Sequence, residues 1–206
     1  MTKLIILAAV LGALAAPSQG ADAPCTNAVA VNTGLDSNSQ VEQARASADD
    51  PRTLEDKHFI LWEYAGALRE RELAKVVEQR ARDPEVRALA RLVRDGHQAG
   101  MDAMIPAATE LNLCLPDRPT RHESAAIEAM RALPPEDLER FFLRRQRAMH
   151  AWDITVFADY AAAANNAKLK KYVVATRAPL REHAEFVDRV ANKKGIAGRL
   201  RAVEGS

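Results

Sequence analysis

Four side chains of this 206-residue sequence could together bind a metal ion: Glu70, His97, His150 and His183. Carboxylate oxygen and imidazole nitrogen are the ligands that proteins offer to Zn, Fe, Mn and Cu. Each of the four interrupts an apolar stripe with helical spacing; Val93, for example, lies four residues before His97. Residues three or four positions apart share one face of a helix, so we expect all four polar groups to point into the core.

The same residues lie at matching distances from two tight turns between predicted helices. Glu70 lies thirteen residues before Asp83, and His97 lies fourteen residues after it. The other two histidines are placed in a similar way about the Asn-Asn pair at 165–166. In an antiparallel helix pair, equal distance from the turn means equal height. The sequence therefore predicts one polar layer in the core, with one group from each of four helices.

Three interpretations of this layer remain open, because an unsatisfied buried polar group costs about 1–3 kcal/mol. The layer binds a metal ion with an open coordination position, or it is a metal-free hydrogen-bond network, or some of the histidines are half-exposed at helix crossings. Carboxylate-bridged di-metal bundles carry Glu-x-x-His on two helices. This chain has Arg94 and Arg147 at the corresponding positions. If such an arginine points inward, it repels a cation and pairs with Glu70.

N-cap and proline signals divide the chain into four long helices and one short helix. The long helices are predicted over 51–81, 84–111, 135–164 and 167–193, and the short one over 121–133. The clearest start signals are Asp83-Pro84 and the capping box from Thr120 to Glu123; Pro179 predicts a kink in the last helix. Two hairpins joined by a long link predict an all-α fold, a ferritin-like four-helix bundle with one extra short helix in the link between helices 2 and 3.

The first twenty residues have the pattern of a signal peptide. Lys3 is followed by an apolar run at 4–16, and small residues at 18 and 20 favour cleavage after Gly20; an uncleaved anchor is the alternative. This run is too short to be a transmembrane helix, and no other run approaches about 18 apolar residues. We therefore expect a periplasmic or secreted protein. Its segments are a signal peptide at 1–20, a loosely ordered arm at 21–50, the bundle at 51–193 and a flexible tail at 194–206.

Export would place both cysteines in an oxidising compartment. Cys25 and Cys114 are therefore predicted to form one disulfide, with two free thiols as the alternative. The chain has no CxxCH motif for covalent haem attachment. A haem held non-covalently by two histidines remains a further hypothesis for the cofactor.

Charge and motifs limit the possible functions. The formal net charge of +1 argues against nucleic acid as a partner, because such proteins carry a basic excess. The basic cluster Arg140, Arg144, Arg145 and Arg147 is interpreted as a solvated helix face. No nucleophile–base arrangement, phosphate-binding glycine loop or general acid–base pair stands out, so the sequence points to no specific enzymatic activity. A metal-binding bundle with oxidoreductase or metal-storage chemistry and a non-catalytic envelope protein both remain open.

Several stretches resemble a known bacterial family. GALRERELAKVVEQRARDPEVRALARLVRDGH begins at Gly66 and has Glu70 and His97 at the family's characteristic positions. LERFFLRRQRAMH and APLREH, ending at His150 and His183, resemble motifs of the later helices. The family is the ferritin-like domain of unknown function 4142, often described as a predicted outer membrane protein. The resemblance covers roughly residues 55–192 and implies the bundle fold and export, but little about activity.

The chain departs from this family pattern beside one of the candidate ligands. Gly96 stands where the family usually has Asp, immediately before His97. Further along, Leu138-Glu139 and Phe142 replace the usual Phe-Asp and Tyr. A carboxylate that could orient the imidazole of His97 is therefore missing.

Overall fold

The computed structural model describes Arg52 and residues 54–196. These residues form five helices with no strand among them: α1 (Asp56–Arg80), α2 (Pro84–Glu110), α3 (Arg121–Arg131), α4 (Pro135–Ala163) and α5 (Ala167–Lys193). The predicted all-α class is confirmed for this part of the chain. The predicted signal peptide, N-terminal arm and last ten residues lie outside it. Cys25 does too, so the Cys25–Cys114 disulfide stays a prediction.

Two helices begin at the cap residues that the sequence indicates, and a third is capped within the predicted Asn-Asn turn. Oδ1 of Asp83 accepts hydrogen bonds from two backbone N–H groups in the first turn of α2, at 2.7 and 3.1 Å. Thr120 and Glu123 form the predicted capping box at the start of α3. Asn166 accepts two backbone hydrogen bonds at 3.0 Å from the first turn of α5. None of the helices in the described part has the length and apolar character needed to cross a membrane.

The first helix begins later than the Asp-Pro signal at 50–51 predicts. Glu55 is extended, with φ −63° and ψ 154°, and α1 starts at Asp56. The Asp56 carboxylate accepts hydrogen bonds from the Tyr160 hydroxyl at 2.7 Å and from the N–H of Asn165 at 3.1 Å. It therefore connects the start of α1 to the turn between α4 and α5.

The long helices pack as two hairpins, α1 with α2 and α4 with α5. Helix α2 also packs along α5, whereas α1 and α4 make few contacts with each other. Helix α3, in the link between the hairpins, lies against α1. Helix α5 is continuous through Pro179, the residue at which the sequence predicts a kink.

Buried apolar side chains form two main clusters, one towards each end of the long helices. One cluster includes Leu73, Leu89, Phe142 and Val187. The other includes Phe59, Met101, Phe157 and Val173. On α1, Glu70 lies between Leu68 of the second cluster and Leu73 of the first. The middle of the core is therefore polar.

Candidate functional site

The structure places the four predicted site residues on four helices, in the stretch between the two apolar clusters. Glu70 is on α1, His97 on α2, His150 on α4 and His183 on α5. Glu70 and His150 are buried, with 3% and 4% of their surface exposed, and the other two are partly accessible. The ring centroids of His150 and His183 lie 6.0 Å apart.

The Glu70 carboxylate is held by guanidinium and amide groups. Nε of Arg145 donates to Oε1 at 3.0 Å, and Nη2 of the same residue also donates to Oε1. Arg69 donates to Oε1 at 3.3 Å, and the side-chain amide of Gln146 donates to Oε2 at 2.9 Å. Burial alone would raise the pKa of Glu70, but the charge and hydrogen bonds of Arg145, with the charge of Arg69, lower it below its usual value. Glu70 is therefore an ionised carboxylate with both oxygens occupied.

The arginine that pairs with Glu70 is not one of the two considered from the sequence. Arg94 pairs with Asp95 on the surface, and Arg147 binds acceptors on and beyond α5. Arg145 comes from the cluster interpreted as a solvated face, yet only 24% of its side chain is exposed, and for Arg147 the value is 7%. That interpretation is wrong for these two residues, because a long side chain beside the apolar stripe can bend into the core.

The three imidazoles are uncharged at neutral pH. Burial lowers the pKa of His97 to about 4 and that of His183 to about 4, and it also lowers the pKa of His150. Nδ1 of His150 lies 2.9 Å from the backbone carbonyl of Gln146, so that nitrogen carries the hydrogen and Nε2 is left as an acceptor. Neutral imidazole is the form that accepts hydrogen bonds and binds metals.

The side chains do not fit the carboxylate-bridged di-metal centre of ferritin-like bundles. Among the residues that the structure describes, no three His, Cys, Asp or Glu side chains are arranged to hold a metal ion. The oxygens of Glu70 are taken by Arg145 and Gln146. In addition, Arg94 and Arg147 stand where such centres have glutamates.

A cavity of about 190 Å³ lies beside the polar layer and contains further ionisable groups. Its lining includes Trp62, Glu63, Gly66, Glu70, His97 and Asp153. Burial raises the pKa of Glu63 to about 7, although a hydrogen bond from the Tyr172 hydroxyl at 3.1 Å acts in the opposite direction. Burial and the nearby charge of Glu63 raise the pKa of Asp153 well above its usual value. Asp153 therefore favours its protonated form, and Glu63 changes its protonation state near neutral pH.

Residues 40–190 match the family model described as Domain of unknown function (DUF4142), which is well over half of the chain. The chain belongs to the DUF4142 family.

The DUF4142 chain also resembles a solved structure described as "Crystal structure of DUF305 fragment from Deinococcus radiodurans". The two share 17% sequence identity with a TM-score of 0.53, over 75% of this chain and 95% of the other. At this identity the likeness shows a similar fold and nothing about activity. No curated protein matches the sequence.

Gly96, where the resemblance implies an Asp, lies against the imidazole of His183. A Cβ atom at this position would lie only 2.8 Å from Cε1 of His183. The glycine therefore lets the imidazole of α5 approach the backbone of α2. Asp at this position, as the DUF4142 resemblance implies for other members, would require His183 to move.

Two glycine substitutions test this contact in the DUF4142 protein. We expect Gly66→Ala to stabilise it by about 1 kcal/mol, because Ala is the better helix former and the added Cβ meets no atom within 4 Å. Gly96→Ala has the same gain in helix propensity but must displace His183, so we expect no net stabilisation. Urea denaturation of both variants measures the difference. Equal stabilisation would show that His183 does not pack on Gly96.

Four polar residues around the site were not predicted from the sequence: Glu63, Gln146, Asp153 and Tyr172. Helical spacing contains a signal for three of them. Glu63 lies seven residues before Glu70, Gln146 four before His150, and Asp153 three after His150. Each spacing places the pair on one helix face. Tyr172 reads as an ordinary core aromatic, and only the structure shows its hydroxyl bonded to Glu63.

Proposed function

We propose that this DUF4142 protein is an exported domain built as a ferritin-like four-helix bundle. Its four long helices are α1, α2, α4 and α5, and α3 is the extra short helix in the link. The two hairpins and the packing of α2 on α5 support the bundle. The signal-like pattern at 1–20 and the family resemblance support a periplasmic or secreted location.

We further propose that the domain is stable without a bound metal and acts through its surface, as a structural or interaction protein of the envelope. The observation that carries this proposal is the environment of Glu70, whose carboxylate accepts hydrogen bonds from Arg69, Arg145 and Gln146. A carboxylate that has been removed from water needs such partners.

The network also favours one alignment of the helices. Arg145 and Gln146 belong to α4, and Glu70 belongs to α1. If α4 slid by one turn, about 5.4 Å, these donors would no longer reach the carboxylate. The buried charge of Glu70 would then be only partly compensated. The polar layer therefore sets the register between the two hairpins.

A specific observation favours a second candidate, a transition-metal site in which His97, His150 and His183 would have to move to converge on one ion. The backbone carbonyl of Gln146 fixes the tautomer of His150, as outer contacts do for ligating imidazoles. Zn or Cu would suit three neutral imidazoles. Glu70 is not among these ligands, because its oxygens are occupied.

Metal removal distinguishes the two candidates. We expect EDTA to shift the melting temperature of tag-free protein by less than about 1 °C, because nothing that binds only the folded state is lost. We also expect Zn, Fe, Mn and Cu to be sub-stoichiometric by elemental analysis. Metal that is retained by wild type and by the exposed-site control His122→Gln, but lost in His183→Gln, would contradict the metal-free proposal and establish the second candidate.

A further inference from the structure

The cavity beside the polar layer is lined by Arg69 and by two carboxyl groups, Glu63 and Asp153, that form no ion pair with it. The charge of Arg69 lowers the pKa of both carboxyl groups, but less than burial raises it. Arg69 and Arg145 lie within ion-pair distance of Glu70, and Arg69 also pairs with Glu123 on α3. The two arginines are therefore already engaged by Glu70 and Glu123. In the described part of the chain, Glu63 and Asp153 form no ion pair. A cation or bound protons must balance these two groups.

Two of the groups that face this cavity also lack hydrogen-bond partners. Within 54–196, no donor reaches the Asp153 carboxylate, and neither ring nitrogen of His97 is hydrogen-bonded. The one fully buried and unpartnered side-chain nitrogen or oxygen in that range is Nε of Arg177. The polar atoms of Asp153 and His97 are therefore still accessible, and both residues line the cavity. Together with Glu63 they present three acceptor groups to one space.

Besides these acceptors and Arg69 and Glu70, the rest of the lining is apolar and suits an aliphatic chain. The indole of Trp62, the thioether of Met149 and the small residues Gly66 and Ala67 complete this side of the cavity. The volume of about 190 Å³ is several times the share of one liquid water molecule, which is about 30 Å³. The space can therefore hold a molecule of several non-hydrogen atoms, with an apolar part against Trp62 and a polar end at the acceptors.

We propose that this cavity binds a small primary aliphatic amine as its ammonium ion. The three N–H donors of the ammonium match the acceptors Glu63, Asp153 and His97, and its charge balances the carboxylates. The adjacent methylene groups pack on Trp62, whose ring also attracts the cation.

Two observations support an organic cation over a metal ion. No three ligand side chains in the described residues converge as a metal site requires, and much of the lining is apolar. When no amine is bound, protons neutralise the pair, consistent with the raised pKa values of Glu63 and Asp153. The site goes beyond the proposed function, because Glu63, Asp153 and Trp62 take no part in the Glu70 network.

Calorimetric titration of the full chain at pH 7 tests the proposal with n-butylamine as the probe. We expect saturable binding of n-butylamine and none of 1-butanol, which has the same chain without the charge. Glu63→Gln and Asp153→Asn should each weaken binding by at least about tenfold, as expected for loss of a charge-assisted contact. Glu72→Gln, on α1 outside the cavity, removes a carboxylate and should leave the affinity unchanged.

A cavity-filling variant provides a test that keeps both carboxylates. Gly66 lines the cavity, and an added Cβ there meets no atom within 4 Å. We therefore expect the larger side chain of Gly66→Leu to occupy the cavity. We expect this variant to lose n-butylamine binding, whereas Gly66→Ala keeps it.

Four results would overturn the amine site. They are no binding by wild type at about 10 mM amine, equal binding of 1-butanol, binding that survives in Gly66→Leu, and binding of Zn²⁺ in place of the amine that depends on Glu63. Each of these is independent of the EDTA experiment, which tests the metal-free network.

Discussion

Arg145→Met is expected to lower the free energy of unfolding by about 3 kcal/mol, because it leaves a buried carboxylate without its main cationic partner. Only 3% of Glu70 is exposed, so water cannot replace the lost guanidinium. Arg69 and Gln146 remain and keep the effect at the lower end of the range for a broken buried pair. Urea denaturation measures it, with Arg144→Met as a matched control. Arg144 is exposed on the same helix, and its loss should cost less than about 0.5 kcal/mol.

A double variant separates loss of the charge from loss of packing. In Glu70→Gln/Arg145→Met the carboxylate is removed together with its partner, so no uncompensated charge is buried. We expect most of the lost stability to return, because neutral replacement of a buried ion pair is often tolerated. A double variant as unstable as Arg145→Met would show that the arginine stabilises the fold by contacts other than Glu70.

Acid is expected to destabilise the protein through His97 and His183. The pKa of each is about 4 in the folded protein and 6.5 in its ordinary state. As the pH falls below 6.5, the unfolded chain binds protons before the folded one does. The contribution of these two histidines to the free energy of unfolding is therefore fully present above pH 6.5. It is lost towards pH 4, at about 1.4 kcal/mol per pH unit for each histidine.

Glu63, in the cavity, opposes this loss of stability in acid. Glu63 has a folded pKa of about 7 against an ordinary 4.5, so it favours the folded state as the pH falls between those values. Relative to wild type, His97→Gln/His183→Gln should reduce the acid-side slope by about 2.8 kcal/mol per pH unit between pH 6 and 4.5. Glu63→Gln should make that slope steeper. The measurement is urea denaturation at each pH, and an unchanged slope in the double histidine variant would mean that these rings are solvated in the folded state.

Helix positions were largely predictable from the sequence because their signals are local. Asp83 and Thr120 make the capping hydrogen bonds that the sequence predicts, and the predicted Asn-Asn turn supplies the cap of α5. The start of α1 was not predictable in this way. Asp56 is fixed by contacts with Tyr160 and the α4–α5 turn, more than a hundred residues away.

The contents of the site were less predictable than its height in the fold. The spacing of Glu70 and the three histidines indicated a layer, and the structure places them between the two apolar clusters. The spacing could not show that Arg145 bends inward to the Glu70 carboxylate, because that depends on the free space between α1 and α4. The cavity depends on the same loose contact between these helices. No pattern within a single helix records the distance to its neighbour.

The division of the core into two apolar clusters has a mechanical consequence. One apolar cluster closes each end of the long helices, around Phe142 at one end and Phe157 at the other. The polar layer and the cavity lie between these two clusters. We therefore expect the proposed amine to bind and dissociate while both apolar clusters stay packed. Ligand exchange and global unfolding would then be separate events.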